Sequence, residues 1–189
     1  MNIREYYHIP KESKILLYVG NISKNKNQEQ MVRVFELIPE EIRNNTYILF
    51  IGRNLQKGYS IDALIENSPY KSHLILCGNI DKKGMPDFYC QADCVSLLSF
   101  AEGFGLSLIE GMHFGIPCMT FSDLDAFEDI YDKRSVIEIK DRTDFEVAKG
   151  LTKLLTKKWN KQDIIDYSKK FSLDQMAKNY IRAFNIIIG

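Results

Sequence analysis

The chain of 189 residues balances 25 lysines and arginines against 25 aspartates and glutamates, so no net field draws it to nucleic acid or to an anionic membrane. With 45% hydrophobic and 26% charged residues, it has the composition of a globular protein with one sizeable core. No apolar run approaches the ~18–20 residues of a bilayer span, and Met1-Asn2-Ile3-Arg4-Glu5 lacks the order of a signal peptide; a cytoplasmic location is the expectation.

Ile3 to His8 reads as a short helical lead-in stopped by Pro10. Lys14 to Val19 is a continuous apolar strand ending in Gly20-Asn21, followed by the polar loop Ser23 to Asn27. The next helix has Met31, Val34, Phe35 and Ile38 on its buried face and Pro39 at its end. A second strand, Tyr47 to Ile51, ends in Gly52-Arg53; Ser60 then caps a short helix reaching Glu66. A third strand, His73 to Cys77, ends in Gly78-Asn79, and Pro86-Asp87 opens a helix to Ala92 with proline in the first turn.

Cys94 to Leu98 is the fourth strand, and a helical pattern ending at Gly115 follows the loop after it. The fifth strand, Ile116 to Phe121, precedes a short helix, and Ser135 to Ile139 forms the sixth. Thr143-x-x-Glu146 and Ser172-x-x-Gln175 have capping-box form and mark helices over Phe145–Leu155 and Leu173–Ile188. Lys153, Lys157, Lys158 and Lys161 read as a solvated helix face. Apolar strands alternating with helices predict an α/β fold, a Rossmann-like parallel sheet of about six strands with helices on both faces. Cys77, Cys90, Cys94 and Cys118 lack paired C-x2-C spacing with nearby histidines, so they read as small buried hydrophobes in a reducing compartment, without zinc or disulfides.

In open α/β sheets ligands bind at the carboxyl ends of the strands, and here those ends pair glycine with polar groups. Tyr18–Lys24 and Leu76–Lys82 share a Gly-Asn-Ile core, which suggests one strand-to-loop geometry used twice. The fourth strand delivers the most informative stretch, Ser99-Phe100-Ala101-Glu102-Gly103-Phe104-Gly105-Leu106-Ser107-Leu108-Ile109-Glu110-Gly111. Two glycines let its backbone turn tightly and approach a ligand, and the following helix aims free N–H groups and its positive dipole end at whatever lies over the turn. Glu102 and Glu110 bracket this anion site, an arrangement suited to the hydroxyls and phosphates of a sugar nucleotide. Leu108, Ile109 and Met112 form the core face of that helix, whereas Leu106 and Glu110 share another.

These residues resemble the C-terminal, donor-binding domain of family-four (group 1) retaining glycosyltransferases of the GT-B fold. Glu102 to Glu110 is similar to that family's Glu-x7-Glu motif with its internal Gly-Phe-Gly. Val19-Gly20-Asn21 through Lys26-Asn27 is similar to its first glycine-rich loop and phosphate-binding lysine. Met85 to Asp93, Gly115-Ile116-Pro117 and the Phe171-Ser172 start of the closing helix at 172–188 extend the likeness along nearly the whole chain. Asn21 stands where the family has arginine and Asn27 where it has glycine, which leaves Lys26 as the expected cation.

The resemblance implies that residues 1–189 form one donor-binding domain, with 1–10 as the linker from an N-terminal acceptor domain outside this chain. It implies a UDP-, GDP- or ADP-sugar donor, a glycan or lipid-linked acceptor in surface polysaccharide or capsule assembly, transfer with retention, and neither cofactor nor catalytic metal. It is compatible with a full-length enzyme at the membrane periphery, without a transmembrane segment, and the chain alone is expected to be inactive. Glu102 is expected beside the transferred sugar and Lys26 at the phosphates. Gly20, Asn21, Gly103, Phe104, Gly105, Leu106 and Glu110 are expected around the donor, with Glu110 on the ribose and Asn79 and Ile80 near the base.

Several of these residues also fit purely structural roles. Glu102 can be a solvated loop acid, Glu110 an exposed helix residue pairing with His113, Lys26 a surface lysine and Phe104 a packing residue. Asn21 and Asn79 can merely shape turns, Arg53 is a surface residue or a phosphate contact, and Asp93 reads as structural. A nicotinamide-binding function would rest on Gly103-x-Gly105 with Asp123 about 20 residues on, but Leu108 occupies the third glycine position. A non-catalytic binding domain and a GT-B sugar-nucleotide epimerase are also compatible with the pattern. Ala177, Tyr180, Ile181, Phe184 and Ile188 form an apolar stripe that packs on the domain's own sheet or on a missing domain.

Overall fold

A computed structural model describes residues 1–188, with side chains described as far as residue 185. Its elements run α1 (Ile3–Tyr6), β1 (Lys14–Val19), α2 (Gln28–Phe35), α3 (Glu40–Arg43), β2 (Thr46–Ile51), α4 (Asp62–Asn67), β3 (Leu74–Gly78), α5 (Met85–Gln91), β4 (Cys94–Leu97), α6 (Leu106–His113), β5 (Cys118–Phe121), α7 (Phe127–Ile130), β6 (Val136–Ile139), α8 (Asp144–Thr156), α9 (Lys161–Ser168) and α10 (Leu173–Ile188). The six strands form one parallel sheet in the order β3-β2-β1-β4-β5-β6, the predicted α/β architecture.

A parallel sheet needs helical crossovers, which cover both faces and demand strands that are apolar throughout. Ile15, Leu16, Leu17 and Tyr18 of β1 are all fully buried, as are Ile48, Leu49 and Val95 on the neighbouring strands. Burying one such aliphatic side chain stabilises the fold by about 1.5–3 kcal/mol. Met31, Val34 and Phe35 of α2, and Leu108 and Met112 of α6, pack against this sheet as their spacing predicts. Gly111 lets α6 lie close to the sheet, since a Cβ there would stand 2.7 Å from Val95 Cγ2. Among the described residues no helix is long and apolar enough to cross a membrane.

The sheet has a narrow seam. β1 and β2 share six register pairs from Lys14↔Thr46 to Val19↔Ile51, whereas β1 and β4 share only Leu16↔Cys94 and Leu17↔Val95. Asp93, at the amino end of β4, accepts from Ile15 N–H at 2.8 Å and lies 3.6 Å from the Arg4 guanidinium, a structural role as expected.

Some boundaries differ from those the sequence predicts. The lead-in helix stops at Tyr6 because His8 takes a left-handed φ of 55°. Pro39 opens the unforeseen α3 in addition to following α2. Ser60 accepts the Asp62 N–H, but Ile61 holds the cap position of α4. The lysines do not share one helix face, because α8 ends at Thr156 and α9 begins at Lys161, and the Lys157 ammonium lies over the Trp159 ring at 3.8 Å. Gly20 and Gly78 differ in φ, 156° against 68°, so the two Gly-Asn-Ile loops do not repeat one geometry. Thr143 and Ser172 do accept from Glu146 and Gln175 N–H at 3.4 and 3.3 Å. The four cysteines are free, but only Cys94 and Cys118 are buried as expected; Cys77 is half-buried and Cys90, on α5, is exposed. The apolar stripe of α10 does not pack on the sheet: Tyr180, Ile181 and Phe184 are each more than half exposed, and the Ile188 side chain lies outside the described residues.

Candidate functional site

The strand order reverses direction between β1 and β4, and in open α/β sheets the carboxyl ends of the strands at such a reversal are where ligands bind. In the first loop, Gly20 has a φ of 156°, and a Cβ there would stand 3.4 Å from the Lys26 side chain, whose stem crosses this glycine. Gly52 fits tightly beside it, since a Cβ would collide with the Gly20 carbonyl. The Asn21 side chain accepts from Arg53 N–H at 3.2 Å, so it braces the loop against the end of β2 while Arg53 itself is exposed.

A 3-10 turn over Lys24–Lys26, capped by Ser23, leads to Asn27 at φ 54°, ψ 35°. Left-handed geometry favours glycine and tolerates asparagine, which accounts for an asparagine at this position. The buried Asn27 amide donates to Leu98 O at 3.2 Å and Gln30 Oε1 at 2.7 Å.

The second loop is tied directly to the first. Asn25 O accepts from Phe100 N–H at 2.8 Å, and the Asn25 side chain accepts from Ala101 N–H at 3.1 Å and donates to Ala101 O at 3.0 Å. Below them the buried Tyr18 hydroxyl donates to Lys26 O and accepts from Leu98 N–H at 2.9 Å; burial pushes its ionisation well above the usual tyrosine range. These bonds bring Lys26 and Glu102 together. The Lys26 ammonium donates to Glu102 Oε1, which also accepts from the Ser99 hydroxyl at 2.7 Å. Their side chains are 24% and 12% exposed, so neither is a solvated surface charge.

Arg142 supports the loop from beneath. It donates to Ser99 O at 3.1 Å, stacks on Phe121 at 4.1 Å and forms a two-pronged pair with Asp123 at 2.7 and 2.8 Å. Asp123 is thereby paired with Arg142 and serves to hold the loop. Nothing local in the sequence marks Asn25 or Arg142, because they hold the loop through contacts 76 and 43 residues away.

Gly105, at φ 68°, ψ 42°, is the N-cap of α6. Gly103 does not share this requirement: its φ is not positive and a Cβ would meet nothing within 4 Å, so its contribution is open space above the loop. Among the described residues, the N–H groups of Gly103, Phe104, Gly105, Leu106 and Ser107 have no protein acceptor. With the dipole of α6 behind them, they can receive an anion. Phe104 packs edge-to-face on Phe171 with ring centroids 5.9 Å apart, yet stays 42% exposed. Leu106 is exposed on the same rim.

Glu110 lies one turn further along α6, exposed to solvent. It is not paired with His113, whose ring nitrogen contacts Ile109 O at 2.9 Å; it accepts from the Tyr89 hydroxyl at 2.7 Å. Glu110 and Tyr89 line a cleft of about 450 Å³ between α5 and α6, together with Lys82, Met85, Leu106 and Phe114. Asn79 and Ile80 follow β3, two strands from the seam, and among the described residues share no hydrogen bond with the other candidates. No group of three or more His, Cys, Asp or Glu side chains among the described residues is placed to hold a metal ion.

Residues 2–171 match the family model described as glycosyl transferases group 1. An uncharacterized glycosyltransferase of Methanocaldococcus jannaschii is 23% identical over 98% of this chain and 48% of its own length. The O-antigen chain mannosyltransferase B of Escherichia coli is 23% identical over 90% of this chain and 45% of its own. The solved structure of Anabaena HepE in complex with UDP and glucose superposes with a TM-score of 0.81 at 14% identity, over 97% of this chain and 51% of that one. WaaG, a glycosyltransferase involved in lipopolysaccharide biosynthesis, gives a TM-score of 0.70 at 21% identity, over 88% and 43%. The chain thus spans about half the length of the relatives it matches.

Proposed function

The chain belongs to the group 1 glycosyl transferases, and we propose that its 189 residues form the donor-binding half of an enzyme that moves a sugar from a nucleoside diphosphate to a glycan or lipid-linked acceptor. The observation that carries this reading is the meeting of Lys26 and Glu102 at the carboxyl ends of β1 and β4, in the loop whose next five backbone N–H groups have no acceptor among the described residues. A cation, a row of donors and a carboxylate brought together by one pair of loops match a diphosphate joined to a sugar.

In transfer, the bond between the anomeric carbon and the diphosphate oxygen breaks, and its electron pair remains on the diphosphate. Donors already aimed at that oxygen stabilise the developing charge without reorganisation; Lys26 and the N–H groups of Gly103, Phe104 and Gly105 serve here. Glu102 faces the sugar, where its charge favours the cationic character at the anomeric carbon. Glu110 accepts from the ribose hydroxyls. The donor is a UDP-, GDP- or ADP-sugar, and the reaction proceeds with retention and without a catalytic metal, within surface polysaccharide assembly. Residues outside these 189 supply the acceptor surface and cover the apolar face of α10.

Titration of the chain with UDP, GDP and ADP, followed by NMR, tests the reading. Shifts should concentrate at Lys26 and from Gly103 to Glu110. Shifts confined elsewhere, or unchanged nucleotide affinity in Glu110→Ala, would refute the site. Sugar transfer by the 189 residues alone would refute the division of labour.

A further inference from the structure

Glu110 is an exposed residue with three rotatable side-chain bonds, a poor starting point for holding a ligand, because freezing such a chain costs free energy on binding. Its Oε2 atom is nevertheless fixed, accepting from the Tyr89 hydroxyl at 2.7 Å. Tyr89 is itself packed in place: it is 2% exposed and stacks on Phe114 with ring centroids 5.5 Å apart and planes 16° from parallel. Burial first, and then the Glu110 carboxylate, raise its ionisation far above the ordinary tyrosine value, so the phenol remains a donor. The two residues come from different helices, α5 and α6, and both line the cleft of about 450 Å³.

We infer that Tyr89 is a positioning residue: it anchors Oε2 of Glu110 so that Oε1 is presented to the hydroxyls of a nucleotide ribose. The inference rests on the proposed role of Glu110 and adds to it the group that sets its geometry. A carboxylate with both oxygens free could grip a vicinal diol with two parallel bonds. With Oε2 held by Tyr89, the diol is met from one side, mainly through Oε1. The Tyr89 hydroxyl also lies 3.4 Å from Ser107 O, so a purely structural tie between α5 and α6 is the competing explanation, and the two differ in what they do to ribose recognition.

The experiment is isothermal titration of the full chain and of Tyr89→Phe, Glu110→Ala and the double variant. The probes are UDP, GDP and ADP, the 2′,3′-dideoxy counterpart of whichever binds tightest, and inorganic pyrophosphate. The parent chain should prefer the ribonucleotide to its dideoxy form. Tyr89→Phe should shrink that preference about three- to tenfold, the effect of one modest hydrogen bond, and leave dideoxynucleotide and pyrophosphate affinities within about twofold. In the Glu110→Ala background the same change should have no further effect on the preference. If Glu110→Ala abolishes the preference while Tyr89→Phe preserves it, the positioning role is wrong and the proposed site stands. If Glu110→Ala leaves the preference intact, or none of the three nucleotides binds, the reading of Glu110 fails and the inference with it. A Tyr89→Phe chain that unfolds more easily yet keeps the parent preference identifies the structural tie and overturns the inference.

Discussion

Lys26 and Glu102 stand 76 residues apart in sequence and meet as an ion pair, each side chain at least three-quarters buried. Removing one partner leaves the other charged and poorly solvated, whereas removing both charges does not. Lys26→Ala should therefore cost about 1–2 kcal/mol of stability, and the Lys26→Ala, Glu102→Gln double variant should recover most of it. Urea denaturation checks both; strict additivity would show that the pair is not coupled. Pyrophosphate affinity should fall roughly tenfold in Lys26→Ala, as expected for a charge-assisted contact.

Asn27 combines a left-handed backbone with two side-chain hydrogen bonds. Asn27→Gly removes only the bonds, while Asn27→Ala also meets a conformational cost of about 1 kcal/mol. The alanine variant should be the less stable of the two by about that amount in chemical denaturation. Equal stability would mean that the loop relaxes out of the left-handed region.

The two glycines of the anion loop should respond differently. Gly105→Ala forces a Cβ into φ 68° and should lose about 1–2 kcal/mol. Gly103→Ala faces no such strain and should retain parent stability, while weakening nucleotide affinity if a ligand occupies the space above it. Thermal unfolding and titration of both variants separate strain from occlusion.

Asp144 is drawn in two directions. Partial burial raises its ionisation, but bonds from Arg33 at 2.9 Å and Gln30 at 2.9 Å outweigh this and hold it below the usual carboxylate range. A depressed folded value means that the unfolded chain binds more protons between the two values, so stability rises with pH there. The contribution is complete above the unfolded value of about 3.9 and is lost as pH falls through the lower folded one. Asp144→Asn should flatten the acid limb of stability measured by urea unfolding from neutral pH downwards. An unchanged slope below about pH 5 would count against it; the effect is small because the pair is partly exposed.

The strands were legible because a two-sided parallel sheet requires uninterrupted apolar runs, and Ile15 to Tyr18 or Ile48 to Ile51 have no other comfortable home. The position of Glu102 and Glu110 after β4 was legible too, since strand, glycine turn and helix are local signals. What joins the site together was not. Asn25 looks like any loop asparagine until Ala101 is beside it, and Tyr89 looks like core until its hydroxyl is seen to emerge at Glu110. Asn27 carried one usable hint: it stands where glycine is the family's residue, as a left-handed turn requires. The break between α8 and α9 carries neither proline nor glycine; its one local signal is Asn160, which caps α9 by accepting from the Gln162 and Asp163 N–H groups.

The seam between β1 and β4 has a kinetic consequence. With two register pairs across it, the sheet divides into two ribbons, β3-β2-β1 and β4-β5-β6, joined also by bonds from Tyr18, Asn25, Asn27 and Asp93 and by Gln30 and Arg33 of α2 to Asp144 at the start of α8. Each ribbon can be built from contacts near in sequence, whereas closing the seam pairs residues nearly 80 apart and carries the larger loop entropy. Seam closure is then expected to be the slow, late event, and the pairing of Lys26 with Glu102 forms only with it. A nucleotide bound at the carboxyl ends of β1 and β4 would act as a cross-brace between ribbons and should slow hydrogen exchange on both sides together.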